Sequence, residues 1–295
     1  MSDARSLLSR TSWSIKDHTV DRLCEQVKSV VLQPMRSGLE ASVHKLSLGD
    51  ESYVLKVWDK SSKPDIAYQY GLLRQLSDNG VPVSRPFGVG VNDKGCQMLL
   101  TSYDGVPIAK LNQQGHAKIA ELMAAVHRCP VAETADWRIQ KHDFVGYFYP
   151  GIADSPDLRE WLLQFLAMAE LKQDRIIHGD LHLANLVESE DGRIVAIDWT
   201  NGQLGDPRYD LMWASVLTRI YVSDRHASGI KAAYLLHHAY TAEELLLFEA
   251  IAFLRWLLLL RQGYVPVAPS TKKKADGIIS NNRYLQHKNL FPPRA

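Results

Sequence analysis

The spacing of apolar residues changes character about a third of the way along the chain. Before that point, short apolar runs alternate with polar positions and Gly/Asp turns. Ser42–Leu46 and Tyr53–Trp58 flank Gly49-Asp50-Glu51, the signature of an antiparallel hairpin. Val20, Leu23, Val27 and Val30-Val31 recur at helical spacing and predict one helix over residues 15–34. Ile66–Asp78 keeps that period through Leu72-Leu73 and Leu76, and Asn79-Gly80 stops it. Gln97–Thr101 reads as a short strand. Tyr103-Asp104-Gly105-Val106-Pro107 then reads as a loop, the predicted boundary between a first unit over 1–104 and a second over 105–295.

Helices dominate beyond the boundary. Leu111–His127 carries Ile119, Leu122, Met123 and Val126 on one face, and Leu158–Leu171 is similarly amphipathic. Two strand-like runs follow, Arg175–Ile177 and Ile194–Ile197, with Asp191-Gly192 supplying a hairpin turn ahead of the second. Residues 210–222 and 231–262 return to helix, with a break near Ala239-Tyr240-Thr241. Thr241 and Glu244 have capping-box spacing, which makes Thr241 the N-cap of a new helix. Strands first and helices afterwards define an α+β chain. The tail, 265–295, is richer in Pro, Lys and Asn and carries no readable period.

Composition narrows the function classes. Hydrophobic residues make up 46% of 295 and charged residues 23%, the balance of a soluble globular protein. Lys+Arg 34 against Asp+Glu 33 leaves a formal charge of +1, without the concentrated basic surface that nucleic-acid binding draws on. Lys272-Lys273-Lys274, the only run of three basic residues, reads as a solvated loop. Cys24, Cys96 and Cys129 lack metal-knuckle or redox spacing and fit a reducing, cytoplasmic setting. No secretory leader follows Met1. The most apolar stretch, Leu245–Leu260, is interrupted by Glu249 and Arg255 and reads as a core helix rather than a membrane span. No obligate protein partner is indicated.

The chemistry concentrates in His178-Gly179-Asp180-Leu181-His182-Leu183-Ala184-Asn185, followed by Ile197-Asp198-Trp199. Phosphoryl transfer asks for a carboxylate to orient a hydroxyl, hard oxygen donors for Mg²⁺, and a cation against the phosphates. Two carboxylates and an amide meet the first two needs. A transition-metal site on His178 and His182 would need both on one helical face, and Gly179 with the strand-like residues before it argues against that.

This segment resembles the catalytic loop of the aminoglycoside phosphotransferase and choline kinase superfamily, which shares the protein kinase fold. The family form H-G-D-x-H-x-x-N is matched without a gap at 178–185. The I-D-W and G-D-P-x-x-D-L pieces are matched at 197–199 and 205–211. The resemblance spans roughly residues 35–215. It implies a bilobal protein-kinase-like fold, with a small antiparallel-sheet lobe and a larger helical lobe. It further implies transfer of the γ-phosphoryl group of ATP to an alcohol. On this reading Asp180 is the catalytic base, and Asn185 and Asp198 are the Mg²⁺ ligands. His178 braces the loop, His127 is structural, and Asp206 and Asp210 support the site through buried hydrogen bonds.

Lys56 occupies a strand whose neighbours Leu55 and Val57 point the other way. Alone it could be an edge-strand surface lysine; with the downstream motifs it becomes the candidate for holding the inner phosphates. Met35–Ser42 takes the position of the family's phosphate-covering loop, which makes Ser37 and Gly38 candidate nucleotide contacts. It has one glycine and reproduces neither GxGxxG nor a Walker sequence. Gln69 falls where the family usually has the glutamate that pairs with the lysine, and Asp65 is a possible substitute. Leu100 and Tyr103 belong to the stretch resembling the adenine-facing linker.

The resemblance leaves the acceptor open among aminoglycosides, macrolides, choline, homoserine and similar alcohols. Arg159 and Arg255 keep an anionic acceptor possible, and Asp154, Asp157, Glu160 and Glu170 a cationic one. The competing functions are a protein serine/threonine kinase, disfavoured by the missing DFG and APE segments, and a non-catalytic nucleotide-binding module, for which Gln69 is the only support.

Overall fold

Why Tyr53–Trp58 becomes a central strand is visible in its neighbours. The strand β4 (Glu51–Trp58) is flanked by β3 (Ala41–Leu48) and β6 (Gln97–Ser102), and pairs antiparallel with both. With β1 (Thr11–Lys16), β2 (Val31–Pro34) and β5 (Pro86–Asn92) they form a six-stranded sheet of order β1-β5-β6-β4-β3-β2. The computed structural model describes residues 7–35, 41–62, 64–131, 137–286, 288 and 290. The chain packs as two compact units, Met1–Val106 with Val187–Thr200, and Pro107–Leu186 with Asn201–Ala295. The sequence predicts a single cut at 104/105; the first unit also takes the later segment Val187–Thr200.

In the first unit, Leu46, Leu55, Met98 and Leu100 on the sheet pack with Val20 and Leu23 of α1 (His18–Glu25). The helix predicted over 15–34 is therefore much shorter. Asp17 caps it, its carboxylate accepting the Thr19 amide at 2.8 Å, and a single 3-10 turn at Val27–Ser29 ends the helical segment. On one side Trp13 and Ile15 lie in β1, and on the other Val31 lies in β2. Long-range strand pairing overrides the local period there. Helix α2 (Ile66–Asp78) forms as predicted, and Asp65 is its N-cap, accepting the Tyr68 amide at 2.9 Å. Within this unit β9 (Leu186–Glu188) and β10 (Ile194–Ala196) make a hairpin, and Ala196 donates its amide to the Pro82 carbonyl at 3.0 Å. The short strand β7 is Val106–Pro107.

The second unit is helical: α3 (Gln113–Arg128), α4 (Phe144–Phe148), α5 (Pro156–Ala169), α6 (Pro207–Tyr221), α7 (Asp224–Tyr234), α8 (Ala242–Arg261) and α9 (Thr271–Asn281). Strand β8 (Arg175–Ile177) pairs with β11 (Gln203–Gly205), a partner the sequence did not signal. Helix α8 is buried along most of its length, and both of its interior charges are matched. Glu249 accepts from Arg219 at 2.7 Å and from Asn282 at 3.0 Å, while Arg255 donates to the Gly179 carbonyl in the loop after β8. The capping box at Thr241 and Glu244 is present. Lys272-Lys273-Lys274 sits in the first turn of α9, not in a loop; Lys272 reaches Asp276 one turn on. No helix among the described residues is long and apolar enough to cross a membrane.

Candidate active site

The loop after β8 is held from beneath by one buried carboxylate. Asp210 on α6 accepts the His178 amide at 3.0 Å and the Gly179 amide at 2.9 Å. His127 of α3 bonds the same carboxylate at 3.2 Å and Tyr234 Oη at 2.6 Å. Burial alone would raise the Asp210 pKa, but the His127 bond and the charges and amides around it hold it below the ordinary carboxylate value. Asp206 plays a related part, capping α6 and accepting the Lys172 amide and the Arg208 guanidinium. The scaffold roles expected for Asp206, Asp210 and His127 match these contacts.

Gly179 has φ +76°, and a Cβ there would stand 2.6 Å from the Asn201 carbonyl oxygen. The sharp turn it permits carries the next residue, Asp180, to the partly exposed lip of the loop. Trp213 Nε1 donates to Asp180 Oδ1 at 2.8 Å, and Arg255 Nη2 lies 3.9 Å from the same oxygen. Asp180 Oδ2 looks toward His182 Nε2 at 3.9 Å. His178 is buried, and its Nδ1 accepts the Asp180 amide at 3.3 Å, which is the bracing contact expected of it. His182 Nδ1 accepts the Ala184 amide at 3.2 Å. Asn185 Nδ2 donates to the Asp180 carbonyl at 3.0 Å, so the amide's orientation is set and Oδ1 is its remaining acceptor.

In the first unit, Lys56 and Asp198 come together. Lys56 Nζ donates to Asp198 Oδ1 at 3.0 Å, and Thr200 Oγ1 donates to the same oxygen at 3.0 Å. Asp198 has φ +63°, a left-handed conformation that a non-glycine residue adopts only where its surroundings impose it. Trp199, buried behind it, anchors the turn by donating Nε1 to the Ala196 carbonyl at 3.1 Å. Gln69 is buried on α2, and Asp65 caps that helix; the carboxylate 3.0 Å from Lys56 is that of Asp198. Leu100 is sealed in the core, in register with Leu55 on one side and Gly88 on the other. Tyr103 lies just past the end of β6, with Lys45 Nζ 3.9 Å above its ring. Ser37 and Gly38 lie outside the described residues.

Sequence reasoning missed Trp213, and it offered Arg255 as a possible acceptor contact. Arg255 instead donates to the Gly179 carbonyl at 2.8 Å and to Tyr209 Oη at 3.0 Å. Burial disfavours its charge, but Tyr209 and Asp180 more than offset that and hold the guanidinium pKa above its ordinary value. The one local hint was that Trp213 follows Asp210 by three residues, placing both on the same face of a helix. Asn185 in the second unit and Asp198 in the first each carry hard oxygen donors of the kind that Mg²⁺ takes. Among the described residues no cluster of three or more His, Cys, Asp and Glu side chains forms a metal site.

Known proteins give this geometry a context. Among solved structures, a thermostable mutant of aminoglycoside phosphotransferase APH(4)-Ia superposes with a TM-score of 0.64 at 18% identity, covering 88% of this chain and 97% of that one. Choline kinase LicA from Streptococcus pneumoniae gives 0.59 at 14% identity, with 90% and 98% covered. The Plasmodium vivax ethanolamine kinase gives 0.60 at 14%, with 87% and 83% covered. At these identities the likeness is one of fold: the α+β, bilobal, protein-kinase-like architecture. No curated protein matches the sequence significantly. The family model for the phosphotransferase enzyme family matches residues 31–248. By that match over most of its length, the chain belongs to the phosphotransferase enzyme family.

Proposed function

We propose that this protein transfers the γ-phosphoryl group of ATP to a hydroxyl of a small molecule. The observation that carries the reading is the Lys56–Asp198 pair, a cation suited to phosphate oxygens held 3.0 Å from a carboxylate suited to a metal. Lys56 holds the inner phosphates, and Tyr103, just past the end of β6, is the candidate contact to the base. Asn185 Oδ1 and the Asp198 carboxylate are the groups that would hold Mg²⁺, which would neutralise charge developing on the phosphate oxygens. Asp180 accepts a hydrogen bond from the acceptor hydroxyl, orients its oxygen for in-line attack and takes up its proton. Most of the acceleration comes from positioning and charge, because phosphoryl transfer needs no covalent protein intermediate.

The solved relatives are named for aminoglycoside, choline, ethanolamine and spectinomycin, all small hydroxyl-bearing molecules. An acceptor of that size class, and a cytoplasmic setting where ATP is supplied, go with this reading. The test is acceptor-dependent ADP release from Mg²⁺-ATP over a panel of cationic, neutral and anionic alcohols, with the phosphorylated product confirmed by mass. Tight nucleotide binding without product on any acceptor would replace the enzyme with a nucleotide-binding module.

A further inference from the structure

We infer that Trp213 and Arg255 are positioning residues for Asp180, dividing the two oxygens of its carboxylate between the protein and the acceptor. The inference rests on the role proposed above for Asp180. Oδ1 is committed inward: it accepts from Trp213 Nε1 at 2.8 Å and faces Arg255 Nη2 at 3.9 Å. The donors are themselves rigid. Trp213 is buried at 2% exposure on α6, and the Arg255 guanidinium lies 4.1 Å from its ring and 4.8 Å from the ring of Phe148. Arg255 is tied further to the Gly179 carbonyl and Tyr209 Oη, so the cation that fixes the indole also fixes the backbone next to Asp180.

Such a clamp has a chemical consequence. With Oδ1 occupied, Oδ2 is the oxygen that takes the acceptor hydroxyl. It receives the proton as the acceptor oxygen bonds to the γ-phosphorus and ADP departs with the electron pair of the broken P–O bond. The other titratable groups around Asp180 are His178 and His182 on its own loop, Tyr209 on α6 and Tyr147 on α4. Of these, His182 faces Oδ2, the side left to the acceptor. Arg255, with its bonds spent on the loop, is assigned to the protein and not to an anionic acceptor.

The decisive variant is Trp213→Phe, which removes the N–H donor and keeps a ring under the guanidinium. Losing a hydrogen bond to a charged group is expected to lower kcat roughly tenfold or more. It should leave the nucleotide KM within about twofold. A merely structural loosening would raise the nucleotide KM as kcat falls. Asp180→Ala is assayed beside it. If Asp180→Ala keeps wild-type turnover, the role of Asp180 itself fails. If Asp180→Ala is inactive while Trp213→Phe keeps kcat, only the clamp fails. A measurement on the wild-type fold guards against a Trp213→Phe variant that does not fold. In protein labelled with ¹⁵N-tryptophan, one of the seven indole N–H resonances should move upon Asp180→Ala. No moving indole would overturn the inference.

Discussion

Lys56 Nζ lies 3.0 Å from Asp198 Oδ1, although 142 residues separate them in the chain. The contact exists because Val187–Thr200 folds with the first unit, tethered where Ala196 donates to Pro82. Gln69, buried on α2, brings no charge to this pair.

The pair predicts coupled losses. Lys56→Met should raise the nucleotide KM and cut kcat/KM by about 10². Asp198→Ala should weaken nucleotide binding mainly in the presence of Mg²⁺. The double variant should lose much less than the sum of the two singles, because the residues act as one unit. Nucleotide titrations with and without Mg²⁺ check this; strictly additive effects would separate the two residues functionally.

Asp180→Ala should lower turnover by about 10² or more while nucleotide binding survives. In the proposed function its carboxylate serves the acceptor, whereas Lys56 and Asp198 serve the nucleotide. Single-turnover kinetics beside a binding titration separate the two effects. Parallel loss of binding would assign Asp180 to the nucleotide.

The Asp210 cluster predicts an acid limit on stability. Its carboxyl pKa is held below the ordinary value, so folding favours the ionised form. That contribution is complete above the unfolded carboxylate pKa of about 4 and is lost as pH falls through the lower folded value. Asp210→Asn should destabilise by about 2 kcal/mol at pH 7, since the Gly179 and His178 amides then share a weaker acceptor. The gap between variant and wild type should narrow below about pH 4. Urea unfolding across the range from neutral to acid pH tests the sign; a gap that widened in acid would contradict it.

Gly179→Ala meets two obstacles together, a left-handed backbone and a carbonyl oxygen 2.6 Å from the new Cβ. A cost of about 1–3 kcal/mol is expected from backbone strain, with activity falling further because Asp180 is the next residue. A thermal melt and an ADP-release assay read the two effects. An alanine variant with wild-type rate would show that the loop tolerates a different turn.

At the start of α8, Thr241→Ala removes one half of a reciprocal cap whose other half, Glu244, also receives Arg208 at 2.8 Å. A loss of about 1 kcal/mol is expected by thermal unfolding, with the kinetics unchanged.

The motif of the candidate site was legible because its groups stand at short separations in the chain. Asp180 and Asn185 stand on one loop, and Asp210 follows Asp206 by one helical turn, so local spacing carried their pattern. The α2 helix and the Thr241 cap were legible for the same reason: their signals lie within one or two turns. The segment at 15–34 was misread because β1 owes its existence to pairing with β5, where Thr11 stands opposite Asn92. Strand β11 was missed likewise, since three residues acquire strand character only against β8.

From its sequence alone, the chain determined which oxygen and nitrogen groups are available for chemistry, and that sheet precedes helix. Those properties follow from residue type and short-range period. Tertiary structure decided which of the groups touch. It brought Lys56 to Asp198, turned Arg255 inward onto Gly179, and set Trp213 against one oxygen of Asp180. Contacts between residues tens of positions apart depend on the packing of whole elements, and no local pattern encodes them.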